Sequence, residues 1–139
     1  KAHIRAPVAA SGTTLTDIFG VGDVGAATLI GHAGDPNRFA TEDRFAAYNC
    51  TAPVEWSSGN PKRPTHRLSR RGNRAINHAL HIAAVTQIRF AHSPGRGFYD
   101  RKLDEGHTPK EAIRALKRRI SNIVYRHLID DTTRASRTR

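Results

Sequence analysis

Several features that are common in proteins are scarce or missing in this chain of 139 residues. Cys50 is the single cysteine, so no internal disulfide can form, which is typical of a reducing cytosol. No apolar run reaches the roughly 18 residues of a membrane-spanning helix, and no secretory h-region stands near the N-terminus. We therefore expect a cytoplasmic protein without a membrane partner. Methionine is absent and the chain begins at Lys1, which favours a piece of a longer protein.

Acidic residues are missing from the whole stretch between Glu55 and Asp100. Residues 56–99 hold eight Lys and Arg, whereas residues 1–55 hold four basic and six acidic side chains, and the formal net charge of the chain is +11. Because each cation that meets a phosphate releases condensed counterions, this distribution predicts a nucleic-acid partner. A generally basic, solvated surface is the alternative. The missing carboxylates also argue against a magnesium-dependent nuclease contained wholly in this chain.

Apolar periodicity and helix start signals predict an all-α fold. Asp23 is expected to cap a short helix that ends near Gly31, and Thr41 to cap the next one. Gly72-Asn73 opens a third predicted helix, which should end near residues 93–95.

Two further helices are predicted in the last third of the chain. The first contains Phe98 and stops at Gly106. The second begins at a capping box, Thr108-Pro109-Lys110-Glu111, and its apolar stripe continues to about Ile129. From these signals we expect residues 1–13 to be a linker or the end of a preceding helix, 14–131 a helical domain, and 132–139 a basic flexible tail.

Residues 51–71 are predicted to be a long basic loop, because four prolines and glycines interrupt any helix there. A loop of about 20 residues in a compact domain is usually functional or disordered. Its cations lead into the N-terminus of a predicted helix, which is a natural anion site, and cations are unfavourable there unless something negative binds. The candidate nucleic-acid-binding residues are Lys62, Arg63, Arg67, Arg70, Arg71 and Arg74. A solvated charge run is the alternative.

A second candidate phosphate contact is the segment Ile18-Phe19-Gly20-Val21-Gly22, which resembles a helix-hairpin-helix element. Gly20 and Gly22 would let the backbone approach a phosphate, and the amides of the next helix would point at it. The alternative is a tight turn that needs glycine for its geometry alone.

The hydroxyl pair Ser57-Ser58 lies at the start of the acid-free stretch and is a candidate nucleophile. A serine nucleophile needs a base and stabilisation of the developing charge. Arginines can supply the second, but His66, His78 and His81 could serve as bases only if the fold brings them close. An ordinary turn is the alternative. His78 and His81 lack a neighbouring cysteine or carboxylate, so no metal site is expected.

Three ordered strings of the chain resemble the C-terminal domain of DEDD-type insertion-sequence transposases, which use a bridge RNA to pair donor and target DNA. They are residues 47–53 (AYNCTAP), residues 57–59 (SSG) and residues 67–80 (RLSRRGNR, then NHAL from residue 77). The resemblance runs from about Leu15 to Asp130. The chain departs from the family pattern at Cys50, where glycine is expected, and at Phe19, where such hairpins often have proline.

This resemblance implies a function that the local chemistry leaves open. It implies that Ser58, with Ser57 as second choice, attacks a DNA phosphodiester and becomes linked to the strand. Four acidic residues of a preceding ribonuclease-H-like domain would hold magnesium, so no cofactor is expected in this chain. DNA, a guide RNA and other subunits of a homo-oligomer are the implied partners. The isolated chain is expected to bind nucleic acid without cutting it. The alternative function is a non-catalytic helical DNA- or RNA-binding module, or a decayed transposon fragment.

Overall fold

The computed structural model describes residues 12–52 and 73–137, and the statements below concern these ranges. They form five α-helices and two 3-10 turns, with no strand among them, which confirms the predicted all-α fold. The helices are α1 (Asp23–Ala33), α2 (Glu42–Tyr48), α3 (Arg74–Arg89), α4 (Pro94–Asp104) and α5 (Pro109–Arg137), and the turns are Leu15–Asp17 and Pro36–Arg38.

Three predicted helix starts are confirmed by their capping hydrogen bonds. The Thr41 hydroxyl accepts from the amide of Arg44 at 3.2 Å, and the Asn73 carboxamide oxygen accepts from the amide of Ile76 at 2.9 Å. At α5 the Thr108 amide donates to Glu111 at 2.8 Å and the Glu111 amide donates to the Thr108 hydroxyl at 3.2 Å. Each cap satisfies amides that the first turn leaves without a partner.

Several predicted helix boundaries differ from those of the structure. Gly22, and not Asp23, is the N-cap of α1, and the helix continues to Ala33. Ser93 caps α4 instead of ending α3, because Pro94 fits the first helical position, where an amide would have no partner.

The last helix, α5, continues eight residues beyond its predicted end at Ile129, to Arg137. The boundaries of the domain, with its linker and tail, stay predictions.

The core lies where α5 packs against α2, α3 and α4, and where α1 packs against α3. Its largest fully buried apolar side chains come from the first 3-10 turn and from four helices. They are Leu15, Leu29, Phe45, Ile76, Leu80, Leu116, Ile120 and Val124. Truncating one of the leucines to alanine is expected to cost about 2–5 kcal/mol of unfolding free energy, since the cavity does not fully collapse.

Near its C-terminal end, α5 holds the first described residues of the chain. The carboxylate of Asp131 accepts hydrogen bonds from the Thr14 amide (2.9 Å) and the Thr14 hydroxyl (2.9 Å). The Thr14 hydroxyl also lies 2.6 Å from Nδ1 of His127. Arg134 adds an ion pair to Asp131 at 3.0 Å and a hydrogen bond to the carbonyl of Gly12. We call these residues the Asp131 clamp.

Candidate nucleic-acid interface

Most residues of the predicted site lie outside the described ranges. They are Ser57, Ser58, Lys62, Arg63, Arg67, Arg70 and Arg71, and their predicted roles stay predictions. Gly20, Gly22 and Arg74 are described. The structure also describes Ala52 and Asn73, the residues on either side of the undescribed stretch 53–72. We call the region around these two residues the loop stem.

Backbone hydrogen bonds fix both sides of the loop stem to the last turn of α2. The amides of Thr51 and Ala52 both donate to the carbonyl of Ala46, at 2.9 and 3.2 Å. The amide of Asn73 donates to the carbonyl of Tyr48 at 2.7 Å. Ala52 and Asn73 are therefore held at the same end of α2.

Asn73 joins the ends of three helices at this point. Its side-chain oxygen caps α3 at the amide of Ile76, while its side-chain nitrogen lies 3.1 Å from Nδ1 of His32 and donates to the hydroxyl of Tyr48 at 3.3 Å. Hydrogen bonds from Arg38 and then from Asn73 lower the pKa of Tyr48. The N-terminus of α3 is thus held against the C-terminal ends of α1 and α2.

Beneath the loop stem lies a polar network that connects α2, α3 and α5. The buried Asn49 donates to the hydroxyl of Ser121 at 3.0 Å and accepts from the Thr51 hydroxyl at 2.6 Å. Asn77 of α3 donates to the backbone carbonyl of Asn49 at 2.9 Å, and Lys117 of α5 donates to Asn77 Oδ1 at 3.0 Å. The side chains of this network have hydrogen-bond partners, so the network fixes the backbone at the loop stem.

Lys117 is the cation of this network, and it is partly buried. Burial lowers the pKa of its amine, while the nearby Cys50 raises it by a smaller amount. The hydrogen-bond partner of Lys117, Asn77, is neutral and offers no compensating charge. In the described part of the chain no carboxylate forms an ion pair with Lys117. An anion that bound here would restore the stability of the charged form, since opposite charge offsets desolvation.

Arg74 places a further positive charge at the start of α3. Arg74 is the first residue of α3, exposed, and without a carboxylate partner among residues 12–52 and 73–137. The pKa of His81 is lowered first by burial and then by the charges of Lys117 and His78. No group of three metal-ligating side chains occurs among residues 12–52 and 73–137.

The two glycines of the predicted hairpin occupy different surroundings. Gly20 has a φ of +90°, and a Cβ there would lie 2.8 Å from the carbonyl oxygen of Ala83 in α3. Its lack of a side chain therefore serves a close internal approach, which is the structural alternative. Gly22 has open space around it and caps α1. A three-residue 3-10 turn, Leu15–Asp17, stands where a helix-hairpin-helix would have its first helix, so that comparison is not confirmed.

Sequence reasoning missed Lys117 as a site residue. It lies inside the amphipathic pattern of α5, between the buried Leu116 and the partly buried Arg118, and nothing local marks it. Only the packing of α5 against α3 brings it to Asn77.

Among the described helices, none is both long enough and apolar enough to cross a membrane.

The fold and the loop stem together define a small, basic, all-helical domain with unpaired cations at one surface. A family model described as "Transposase IS116/IS110/IS902 family" matches residues 12–100, and the chain belongs to this family. This confirms the coarse part of the sequence prediction, an insertion-sequence transposase domain.

Two relatives extend the comparison beyond the family model. The chain is 39% identical over 111 residues to the uncharacterized 42 kDa protein of insertion element IS900 from Mycobacterium paratuberculosis, which covers 77% of this chain and 26% of that protein. It is 33% identical over 137 residues to the uncharacterized 43.6 kDa protein of insertion element IS110 from Streptomyces coelicolor, which covers 99% of this chain and 32% of that protein. The chain thus spans about a third or less of the relatives it matches.

Proposed function

We propose that this chain is the DNA-binding and strand-exchange domain of an insertion-sequence transposase, with Ser58 as the nucleophile. Membership of the transposase family supports the DNA partner. The observation that carries the proposal is the loop stem. There the two ends of the segment that contains Ser58 meet beside Arg74 and Lys117, two cations without a carboxylate partner in the described ranges.

Phosphate binding near the stem follows from these charges. Covalent geometry keeps Ser58 within about 20 Å of Ala52, so a strand held at the stem is within reach of the serine. The cations of residues 62–71 would contact the same strand. Contacts of Lys and Arg with phosphates release condensed counterions. We therefore expect the affinity for DNA to fall steeply as the salt concentration rises.

The proposed chemical step exchanges one phosphate ester for another. The Ser58 oxygen attacks the phosphorus of a DNA phosphodiester, a bond forms between them, and the bond from phosphorus to one deoxyribose oxygen breaks. The serine gives up its proton and the departing deoxyribose oxygen ends as a hydroxyl. The phosphoserine ester keeps the bond energy, and attack by a sugar hydroxyl reverses the step and rejoins the DNA.

Part of the catalytic machinery would have to come from outside this chain. The described residues contain no group of three acidic, histidine or cysteine side chains that could hold a metal ion. We propose that a preceding ribonuclease-H-like domain supplies the magnesium ligands, and that a guide RNA and further subunits complete the assembly. The isolated chain should then bind nucleic acid and leave it uncut.

Capture of a covalent protein–DNA adduct by the full-length transposase tests the role of the serine. The Ser58→Ala variant should form no adduct, whereas Ser57→Ala should form it, because the two hydroxyls are neighbours and only one is the nucleophile. Normal recombination by Ser58→Ala would disprove the assignment.

A non-catalytic helical nucleic-acid-binding module, or a decayed transposon fragment, is the second candidate function. It is favoured by Arg74 and Lys117, which can contact phosphate without taking part in bond cleavage. It predicts salt-sensitive binding to which both serines are indifferent. An upstream open frame that encodes an acidic ribonuclease-H-like domain would favour the enzyme, and an upstream stop codon would favour the fragment.

A further inference from the structure

Three aromatic rings meet at the end of α3 that lies away from the loop stem. The ring of Phe19 lies 5.8 Å from that of Phe90 and 5.4 Å from that of His92, and Phe90 lies 5.9 Å from His92. All three pairs are edge-to-face, with interplanar angles of 61–74°. We call these residues the aromatic triplet. The mutual edge-to-face geometry is the one that ring quadrupoles favour.

The triplet is at the surface, although aromatic rings are usually buried. Phe90 is 44% exposed, His92 is exposed and Phe19 is half-buried. A single exposed apolar residue needs no explanation, but rings from separate segments gathered at one place mark an interaction site.

A buried polar side chain holds the segments of the triplet in place. Gln87 donates from its side chain to the carbonyl of Phe19 at 2.7 Å, and its own carbonyl accepts from the hydroxyl of Ser93. Gly95 lies so close to Gln87 that a Cβ there would overlap it. The backbone at Phe19, the end of α3 and the start of α4 are therefore locked together, so the rings are preorganised before any ligand binds.

The charge around the triplet favours a polyanion on the side of α3. The exposed Arg89 precedes Phe90, and no acidic residue occurs from Asn73 to Tyr99. Asp17 and Asp23, in contrast, lie two and four residues from Phe19 in the sequence. A ligand with flat rings and a phosphate that faces Arg89 matches both features.

We propose that the aromatic triplet binds unpaired nucleotides, whose bases stack on Phe90 and His92 while a phosphate contacts Arg89. Bases stack on exposed protein rings with little sequence preference, because every base has a π-face. The proposal rests on the nucleic-acid partner of the proposed function, but it does not depend on Ser58 or on any chemical step.

Binding of a labelled oligothymidylate of about twelve nucleotides to the 139-residue chain tests the proposal. Phe90→Ala should weaken binding about tenfold, which is the loss expected for one stacked base, and Phe90→Tyr should retain most of the affinity. A strand of equal length with abasic sugars carries the same phosphates but no bases. It should bind more weakly, and Phe90→Ala should not weaken it further.

Matched variants separate stacking from charge and from general loss of apolar surface. Arg89→Ala should weaken both strands and lower the salt dependence, as expected for a phosphate contact. Ile82→Ala removes another apolar side chain of α3, 48% exposed, and should change nothing.

Three results would overturn the proposal. Phe90→Ala could leave oligothymidylate binding unchanged, or weaken both strands equally, or change only the oligomeric state of the chain, which would mark a protein-docking surface. The readout is equilibrium binding and involves no chemical step, so a failure of the serine mechanism would leave this experiment interpretable.

Discussion

Two polar centres of α5, the Asp131 clamp and the network around Lys117, differ in whether a charged side chain has a partner of opposite charge. At the Asp131 clamp, the carboxylate is 14% exposed and satisfied by the Thr14 amide, the Thr14 hydroxyl and Arg134. At the loop stem, Lys117 is also partly buried, yet its described partner is the neutral Asn77. Both centres join distant parts of the chain through one helix.

This difference indicates that the Asp131 clamp serves folding and that the network around Lys117 serves binding. A buried charge with a full set of partners contributes to folding, and removing it leaves other groups without partners. A desolvated charge without an opposite charge costs free energy until an anion arrives. We therefore expect substitutions at the clamp to change stability, and substitutions at the stem to change nucleic-acid affinity.

The largest expected effect is on stability at the clamp. Asp131→Ala should lower the free energy of unfolding by about 2 kcal/mol, because the Thr14 amide and hydroxyl lose their acceptor. Asp130→Ala removes the exposed carboxylate of the preceding residue and should change stability by less than about 0.5 kcal/mol. Urea denaturation measures both. An equal loss in the two variants would show that net charge, and not the clamp, is responsible.

The next effect is on affinity at the stem. Lys117→Met should weaken DNA binding several-fold and reduce the slope of log affinity against log salt by about 1, as expected for one lost phosphate contact. Arg126→Met removes an equal charge that is paired with Glu42 at 3.4 Å, and it should have a smaller effect. Fluorescence anisotropy at several salt concentrations compares them. If both variants reduced the slope of log affinity against log salt equally, paired and unpaired cations would not differ in their contribution to binding.

A smaller gain in stability is expected within the loop stem. Cys50 has a φ of +69°, a conformation that glycine adopts more easily than any residue with a Cβ. Cys50→Gly should raise the free energy of unfolding by about 0.5–1 kcal/mol, whereas Cys50→Ala keeps the Cβ and should not. Thermal unfolding of the pair is the measurement. A destabilised glycine variant would mean that contacts of the thiol outweigh the backbone strain.

The smallest expected effect is a dependence of stability on pH that originates at His81. The pKa of His81 is lowered in the folded chain from its ordinary value of 6.5. As the pH falls below about 6.5, the unfolded chain binds a proton before the folded chain does, so stability decreases. His81→Gln should flatten this decrease in urea midpoints measured from about pH 7.5 to 5.5. An unchanged slope would assign the pH dependence to other groups.

Much of the fold follows from local signals, and the exceptions have tertiary causes. Thr41, Asn73 and Thr108 were predictable as caps, because capping depends on residues within one turn. The start of α4 was missed, since Pro94 and Gly95 were interpreted as helix breakers. Gly95 is tolerated because its bare backbone packs against Gln87, a contact between different helices.

The end of α5 and the site itself show the same limit. No apolar stripe continues past Ile129, and the last turns are accompanied by Asp131 and Arg134 contacting residues 12–14, which are remote in sequence. The nucleophile candidates rest on the family resemblance and not on local chemistry. Lys117 became visible only through its contact with α3, whereas Arg74 could be predicted from the unfavourable position of a cation at a helix start.

The regular geometry of α5 sets a phase relation between its two polar centres. Lys117 and Asp131 are 14 residues apart, which corresponds to about 21 Å and nearly four complete turns, so they lie on almost the same side of the helix. Inserting one residue between them would rotate one centre by about 100° relative to the other. Inserting seven residues would rotate it by only about 20°. The two centres therefore keep their relative orientation only when an insertion adds close to a whole number of helical turns.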